Sequence, residues 1–136
     1  MFMKLRVLLL LIIISCSAVF AEVQQVSTQS ASLPATSPQN VSFSNCTKMF
    51  SMDKETLFYL TIAAVKANRF SIEEIQSTNG YVMFVAARNK YVATIAGIDD
   101  KNSILKITPC NNIYVFQPGI ISNMFKYIEI NQTAKQ

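Results

Sequence analysis

The content of histidine, carboxylates and cysteine limits the chemistry that this chain could perform. The 136 residues include no His, so the most common general base near neutral pH and the most common metal ligand are missing. Glu73 and Glu74 are adjacent in a segment that we predict to be a strand, so we expect their carboxylates to point to opposite faces. Asp99 and Asp100 lack the further ligands of a calcium loop. The sequence predicts no catalytic residue, no metal site and no cofactor, and leaves open only a Ser–Lys pair.

Two cysteines, Cys46 and Cys110, would stay in the chain after loss of an N-terminal leader. Exported proteins commonly pair such thiols, which predicts a disulfide between them. Closing this loop (110 − 46 = 64 residues) would add about 4 kcal/mol in the chain-entropy account. The alternative is two unpaired thiols, one of them buried. No C-x-x-C spacing indicates redox or zinc chemistry, and no His is present to activate a catalytic thiol.

The N-terminus has the layout of a secretory signal. Lys4 and Arg6 precede an unbroken apolar run over residues 7–14, and small residues follow. A membrane-spanning helix needs about 20 apolar residues, whereas Val7–Ala21 offers fifteen with two serines among them. We therefore predict that residues 1–21 contain a cleaved signal peptide, with a retained membrane anchor as the alternative.

Two cleavage sites compete within this segment. The sequence Ile13-Ile14-Ser15-Cys16 resembles the lipobox of bacterial lipoproteins, although that motif more often has Leu in place of Ile13 and Ala or Gly in place of Ser15. The resemblance implies cleavage before Cys16 and a lipid on Cys16. The protein would then be located in the cell envelope or periplasm, anchored to a membrane by that lipid. Cleavage after Ala21 would instead release a soluble secreted protein.

Composition divides the rest of the chain into a linker and a domain. Residues 22–48 are rich in Ser, Thr, Gln and Pro and have too little apolar surface to fold, so we predict a disordered linker. The 36 residues from Cys16 to Met52 (52 − 16) would span roughly 33 Å as a flexible coil. Residues 49–136 are predicted to form a single domain. The net charge of the whole chain, +4, is dispersed, which argues against nucleic acid as a partner.

The predicted domain begins and ends with a helix. Ser51 is the predicted N-cap of the first helix, which ends at Asn68, and the second helix begins at Pro118. Between them, strands are predicted over residues 70–77, 81–88, 91–98 and 103–108, with a short fifth strand over 113–116. The expected fold class is α+β: a two-layer arrangement of helix, four- or five-stranded antiparallel meander, and helix. This order resembles the helix-grip domains of some outer-membrane-assembly lipoproteins.

Tight turns at Asn79-Gly80 and Asn89-Lys90 predict the strand register. In that register both faces of the sheet are apolar, so the helices cover both faces or one face meets a partner. We predict that the partner surface is the face carrying Phe84, Tyr91 and Ile95.

These features favour a non-enzymatic, lipid-anchored protein of the cell envelope whose α+β domain binds another envelope component. The alternative is a soluble secreted domain that binds a small apolar ligand or a protein partner.

Overall fold

The structure is a computed structural model that describes residues 37–133. In chain order the elements are β1 (Gln39–Asn40), a 3-10 turn (Phe43–Cys46), β2 (Thr47–Phe50), α1 (Lys54–Ala67), β3 (Ser71–Gln76), β4 (Tyr81–Ala86), β5 (Asn89–Gly97), β6 (Ser103–Pro109), β7 (Val115–Phe116) and α2 (Gly119–Thr133). Within this range the fold is the predicted two-layer α+β arrangement: two helices and an antiparallel sheet of order β2-β6-β5-β4-β3, with β1 and β7 as a separate pair. The predicted signal peptide and Cys16 lie outside the described residues.

A two-residue turn, Ala87–Arg88, sets the register of the central hairpin. Both residues have positive φ, 47° and 67°, as a type I′ turn requires. Phe84 consequently pairs with Tyr91 across the hairpin. The turn that we predicted at Asn89–Lys90 is wrong, because these two residues form the first pairs of β5. The turn residues carry backbone strain that Gly would avoid, and the pairing of two buried aromatic rings offsets it.

The hairpin between β3 and β4 also differs from the prediction, because its turn has four residues, 77–80. Only Gly fits at position 80: its φ is 68°, and a Cβ there would lie 2.7 Å from the carbonyl oxygen of Ile95. A bulge between Ile72 and Glu74 shifts the register further. Phe84 therefore faces Ile72, whereas a two-residue turn at Asn79-Gly80 would have paired it with Ile75.

Local hydrogen bonds fix both ends of α1. Asp53, and not the predicted Ser51, is the N-cap: its carboxylate accepts hydrogen bonds from the backbone N–H of Thr56 (2.9 Å) and from the Thr56 hydroxyl (2.7 Å). At the other end, the N–H groups of Arg69 and Phe70 donate back to carbonyls of the last turn, with Arg69 at a φ of 58°. This closure delivers the chain directly into β3.

Both helices pack on one face of the sheet. That face consists of side chains that are at most 3% exposed: Val82, Phe84, Ala86, Tyr91, Ala93, Ile95, Leu105 and Ile107. Helix α1 adds Leu57, Phe58, Thr61, Ala64 and Val65, and α2 adds Ile120, Ile121, Met124, Phe125 and Ile128. Phe50 of β2 meets Phe125 of α2 edge to face at 6.1 Å, which ties the edge strand to the helical layer.

Folded elements begin ten residues before the predicted domain start (49 − 39 = 10). Strand β1 pairs with β7, and β2 adds a fifth strand to the main sheet beside β6. The predicted strand over 113–116 is therefore only Val115–Phe116 and lies outside the main sheet. Val41 and Cys46 are buried and anchor this N-terminal part of the domain.

The turn position can be tested by moving a glycine. Arg88→Gly relieves the positive φ of the turn, so we expect stabilisation by about 1 kcal/mol, or about 4–8 °C in Tm for a domain of this size. Lys90→Gly creates an Asn-Gly dipeptide where the sequence alone predicted the turn. In the observed register it places Gly inside a strand and removes an ion pair, so we expect destabilisation by about 1 kcal/mol. Thermal unfolding of both variants distinguishes the registers, and the opposite order of Tm values would exclude the observed turn.

Candidate functional site

The second face of the main sheet carries no helix in the part of the chain that the structure describes. Its side chains alternate with the core positions along each strand, and most are half-exposed. The apolar members of this open face are Met49, Tyr81, Met83, Val85, Val92 and Ile104. Met49, on the edge strand, is 62% exposed. Thr94 pairs with Lys106 between two apolar groups, one on β4 and β5 and one formed by Met49 and Ile104. An uncovered sheet face with apolar groups of this kind is suited to contact with another molecule.

The predicted partner surface is wrong in its choice of face. Phe84 and Tyr91 are 0% exposed and Ile95 is 2% exposed, so all three belong to the core. The rings of Phe84 and Tyr91 stack with centroids 5.5 Å apart, and α1 lies over this part of the sheet. The physical reason is the register: the turn at residues 87–88 places the large aromatic side chains on the side that the helices cover. The open face is also less apolar than predicted, since Lys90, Thr94, Lys106 and Thr108 lie on it.

Two carboxylates border the open face, and each has a partner. The bulge in β3 lets Glu73 reach across to Lys90, with the ion-pair atoms 2.8 Å apart. Glu74 accepts hydrogen bonds from the Tyr81 hydroxyl (2.8 Å) and the Gln76 amide (3.0 Å), and these bonds hold the pKa of its carboxyl below the usual value. The expectation that Glu73 and Glu74 point to opposite faces is wrong, because the bulge turns both toward the partners of the open face.

These contacts give the carboxylates a positioning role. Glu73 raises the pKa of Lys90 through a hydrogen bond and its charge, and Glu74 raises the pKa of Tyr81 in the same two ways. Each group is therefore held in its ordinary charge state at neutral pH. The arrangement fixes the polar border of the open face.

The two described cysteines are separate thiols, one buried and one exposed. Cys46 donates to the carbonyl oxygen of Ser42 at a sulfur–oxygen distance of 3.7 Å, and burial raises the pKa of its thiol. The register explains why it does not meet Cys110. Thr47 pairs with Lys106 in an antiparallel register, so Cys46 falls level with Ile107 and Cys110 lies three residues beyond it, roughly 10 Å along the strand. Two cysteines more than about 7 Å apart cannot be bridged without backbone movement. The predicted disulfide is absent from this structure.

The reactivity of the thiols gives a direct test. We expect iodoacetamide to alkylate Cys110 in the folded protein, and Cys46 only after denaturation, because the thiol of Cys46 is buried and its pKa is raised. Peptide mass mapping of native and denatured samples, prepared without reductant, locates the labels. If neither residue is alkylated in the denatured sample until a reductant is added, the two are joined and the observed arrangement is not that of the isolated protein.

Surface grooves elsewhere in the described chain are shallow. Two of them, about 440 and 450 Å³ in volume, flank the exposed ring of Tyr59 near the start of α1 and share Glu55. Among residues 37–133, no group of three or more His, Cys, Asp or Glu side chains is placed to hold a metal ion. No helix in this same range is long and apolar enough to cross a membrane.

The fold and the open face together define a small two-layer α+β domain with one side of its sheet available for contact. Comparison of the chain with models of known protein families and with curated proteins finds no match to either.

Proposed function

We propose that this chain is an exported, non-enzymatic lipoprotein of the cell envelope, whose α+β domain binds another envelope component through the open face of its main sheet. The lipid anchor is Cys16, and the mature protein begins there. The observation that supports binding most directly is the uncovered apolar face itself, because a sheet of this kind normally covers its apolar side chains.

The chemistry of the open face favours a protein partner. Met83 and Met49 have flexible, polarisable side chains that adapt to an irregular partner surface. Val85, Val92 and Ile104 add branched side chains in a flat array, and the paired carboxylates at the border stay solvated. A surface of this kind, with Thr94 and Lys106 between its apolar groups, suits a broad contact that combines apolar and polar side chains. The interior between sheet and helices is filled by aromatic and aliphatic side chains, which argues against a small ligand bound there.

The anchor is tested by metabolic labelling with an alkyne fatty acid in a bacterial host. We expect the chain to incorporate the label, Cys16→Ser to lose it, and Cys110→Ser to keep it as the matched control. Intact-mass analysis of the mature protein should place its N-terminus at Cys16. An unlabelled protein that begins at Glu22 would refute lipid anchoring and would support the soluble, secreted alternative.

The open face is tested by site-specific photocrosslinking in the same host. We expect a benzoylphenylalanine residue at Val92, on the open face, to give a discrete crosslinked species that contains an envelope protein. The matched control is the same substitution at Tyr59, which is exposed on the outer side of α1. Both positions lie outside the core and accept a large side chain without disturbing it. Crosslinks from position 59 with none from position 92 would refute the open face as the binding surface.

A further inference from the structure

Three exposed apolar side chains belong to neighbouring segments at one end of the domain. Phe43, Ile113 and Val115 are 54%, 57% and 53% exposed. The ring of Phe43 meets the ring of Tyr114 at 5.9 Å, and Tyr114 lies between the other two residues in the chain. The remaining large exposed hydrophobic side chains of the described range are each on a different element: Met49, Tyr59, Ile75, Ile98 and Ile130.

Positive charge surrounds this apolar cluster. The strand register brings the end of α1, the turn at residues 87–88 and the loop after β6 to the same end of the sheet. The ammonium of Lys106, on β6, lies 4.5 Å from the centre of the Phe43 ring. Together with it, these segments supply five cations: Lys66, Arg69, Arg88, Lys90 and Lys106. Glu73, paired with Lys90, and its neighbour Glu74 are the carboxylates of the described chain in this region. We call this surface, with Phe43, Ile113 and Val115, the basic end.

The opposite end of the domain has the reverse charge. It is formed by the start of α1 and the loop between β5 and β6, where the side chain of Lys54 approaches Gly80 and Gly97. Its charged residues are Asp53, Glu55, Asp99, Asp100, Lys54 and Lys101. The formal charge is therefore 5 − 2 = +3 at the basic end and 2 − 4 = −2 at the other, so a negatively charged surface would orient the domain with its basic end toward that surface.

The described chain also begins at the basic end. Strand β1 pairs with β7, which directly follows the loop after β6. From Cys16 to the first residue of β1 is 23 residues (39 − 16), fewer than the 36 residues to Met52 that the sequence alone indicated, since folded elements begin earlier. A lipid on Cys16 would therefore hold this end of the domain at high effective concentration near the membrane.

From these observations we infer that the basic end is a membrane-docking surface, which rests against a bilayer with anionic headgroups. The exposed apolar side chains enter the interface, while the surrounding cations meet the headgroups. A depression of about 290 Å³, lined by Arg88, Asn89, Lys90, Cys110 and Asn111, lies on this end and offers cationic and amide donors to a headgroup phosphate. The inference rests on the proposed attachment of the chain to a membrane. Beyond that proposal, it identifies the surface of the domain that faces the lipid.

The test uses the full chain with Cys16→Ser, so that its result does not depend on lipidation. An environment-sensitive NBD fluorophore is attached to Cys110, which is exposed at the basic end, while Cys46 is buried and protected. With vesicles of phosphatidylcholine containing 30% phosphatidylglycerol, we expect about a two-fold or larger rise in emission, which 0.5 M salt reverses. Vesicles of phosphatidylcholine alone should give little change. Co-sedimentation with each kind of vesicle measures how much protein is bound, so that emission is compared per bound molecule.

Two matched controls locate the docking surface. Charge reversal at the basic end, Lys66→Glu with Arg69→Glu and Arg88→Glu, should abolish the rise. The same reversal elsewhere, Lys54→Glu with Lys101→Glu and Lys126→Glu, should leave most of it. A probe at position 100, in a chain with Asp100→Cys and Cys110→Ser, should stay in water. Circular dichroism confirms that each variant is folded.

The inference is overturned if Cys110 reports equally on neutral and anionic vesicles, if both charge reversals behave alike, or if the probe at position 100 reports lipid instead. Should anionic docking occur while the fatty-acid label is absent from Cys16, the docking surface stands and the lipoprotein assignment fails.

Discussion

The register of the hairpin between β4 and β5 is the constraint on which the rest of the domain depends. Strand residues alternate between two faces, so a shift of one position would exchange the whole set of covered and uncovered side chains. With its turn at residues 87–88, the hairpin places Phe84 beside Tyr91. The aromatic contacts extend from Phe70 through these two rings to Phe116, which joins the end of α1 to β7. The helices cover this aromatic face, and the branched side chains that alternate with it form the open face.

Two surfaces with different chemistry result from one arrangement of strands. The open face runs along the strands and combines apolar side chains with the polar pair Thr94 and Lys106. The basic end lies at one terminus of the same strands, where the described chain also begins. With a membrane at the basic end, the strands would run away from the membrane surface. The open face would then be directed parallel to the membrane and be accessible to a neighbouring protein. The two proposed contacts can therefore be made at the same time.

Much of the architecture follows from the sequence, because it depends on patterns that are local. The apolar spacing of Ile121, Met124, Phe125 and Ile128 predicts the buried face of α2, and these residues are buried. The choice of open face could not be predicted, because it depends on turn residues. Ala87 and Arg88 adopt positive φ without Gly or Asn, so propensity points to the neighbouring Asn89 instead. The sequence does not predict strand β2, because its four residues follow a polar segment and are too few to show an apolar–polar alternation. Only the pairing with β6 makes this segment a strand.

The basic end could not be found from the sequence for a related reason. Its five cations are spread over residues 66–106, and a dispersed charge pattern indicates an ordinary solvated surface. Strand pairing brings them together, since the contributing loops and turns are far apart in sequence. Charge asymmetry between the ends of a domain is therefore a property of topology, which composition does not reveal.

The bulge at Glu73 has a consequence for copies of a protein that are held close together on one surface, as a membrane anchor would hold them. Strand β3 is an edge of the main sheet, and an edge of this kind is a template on which a second molecule can add its own strand. Proteins held at one surface meet each other far more often than proteins in free solution. An irregular backbone and an ion-paired carboxylate at this edge interrupt the regular row of donors and acceptors that a second strand would need. The same feature that borders the open face thus keeps neighbouring copies from assembling into a continuous sheet.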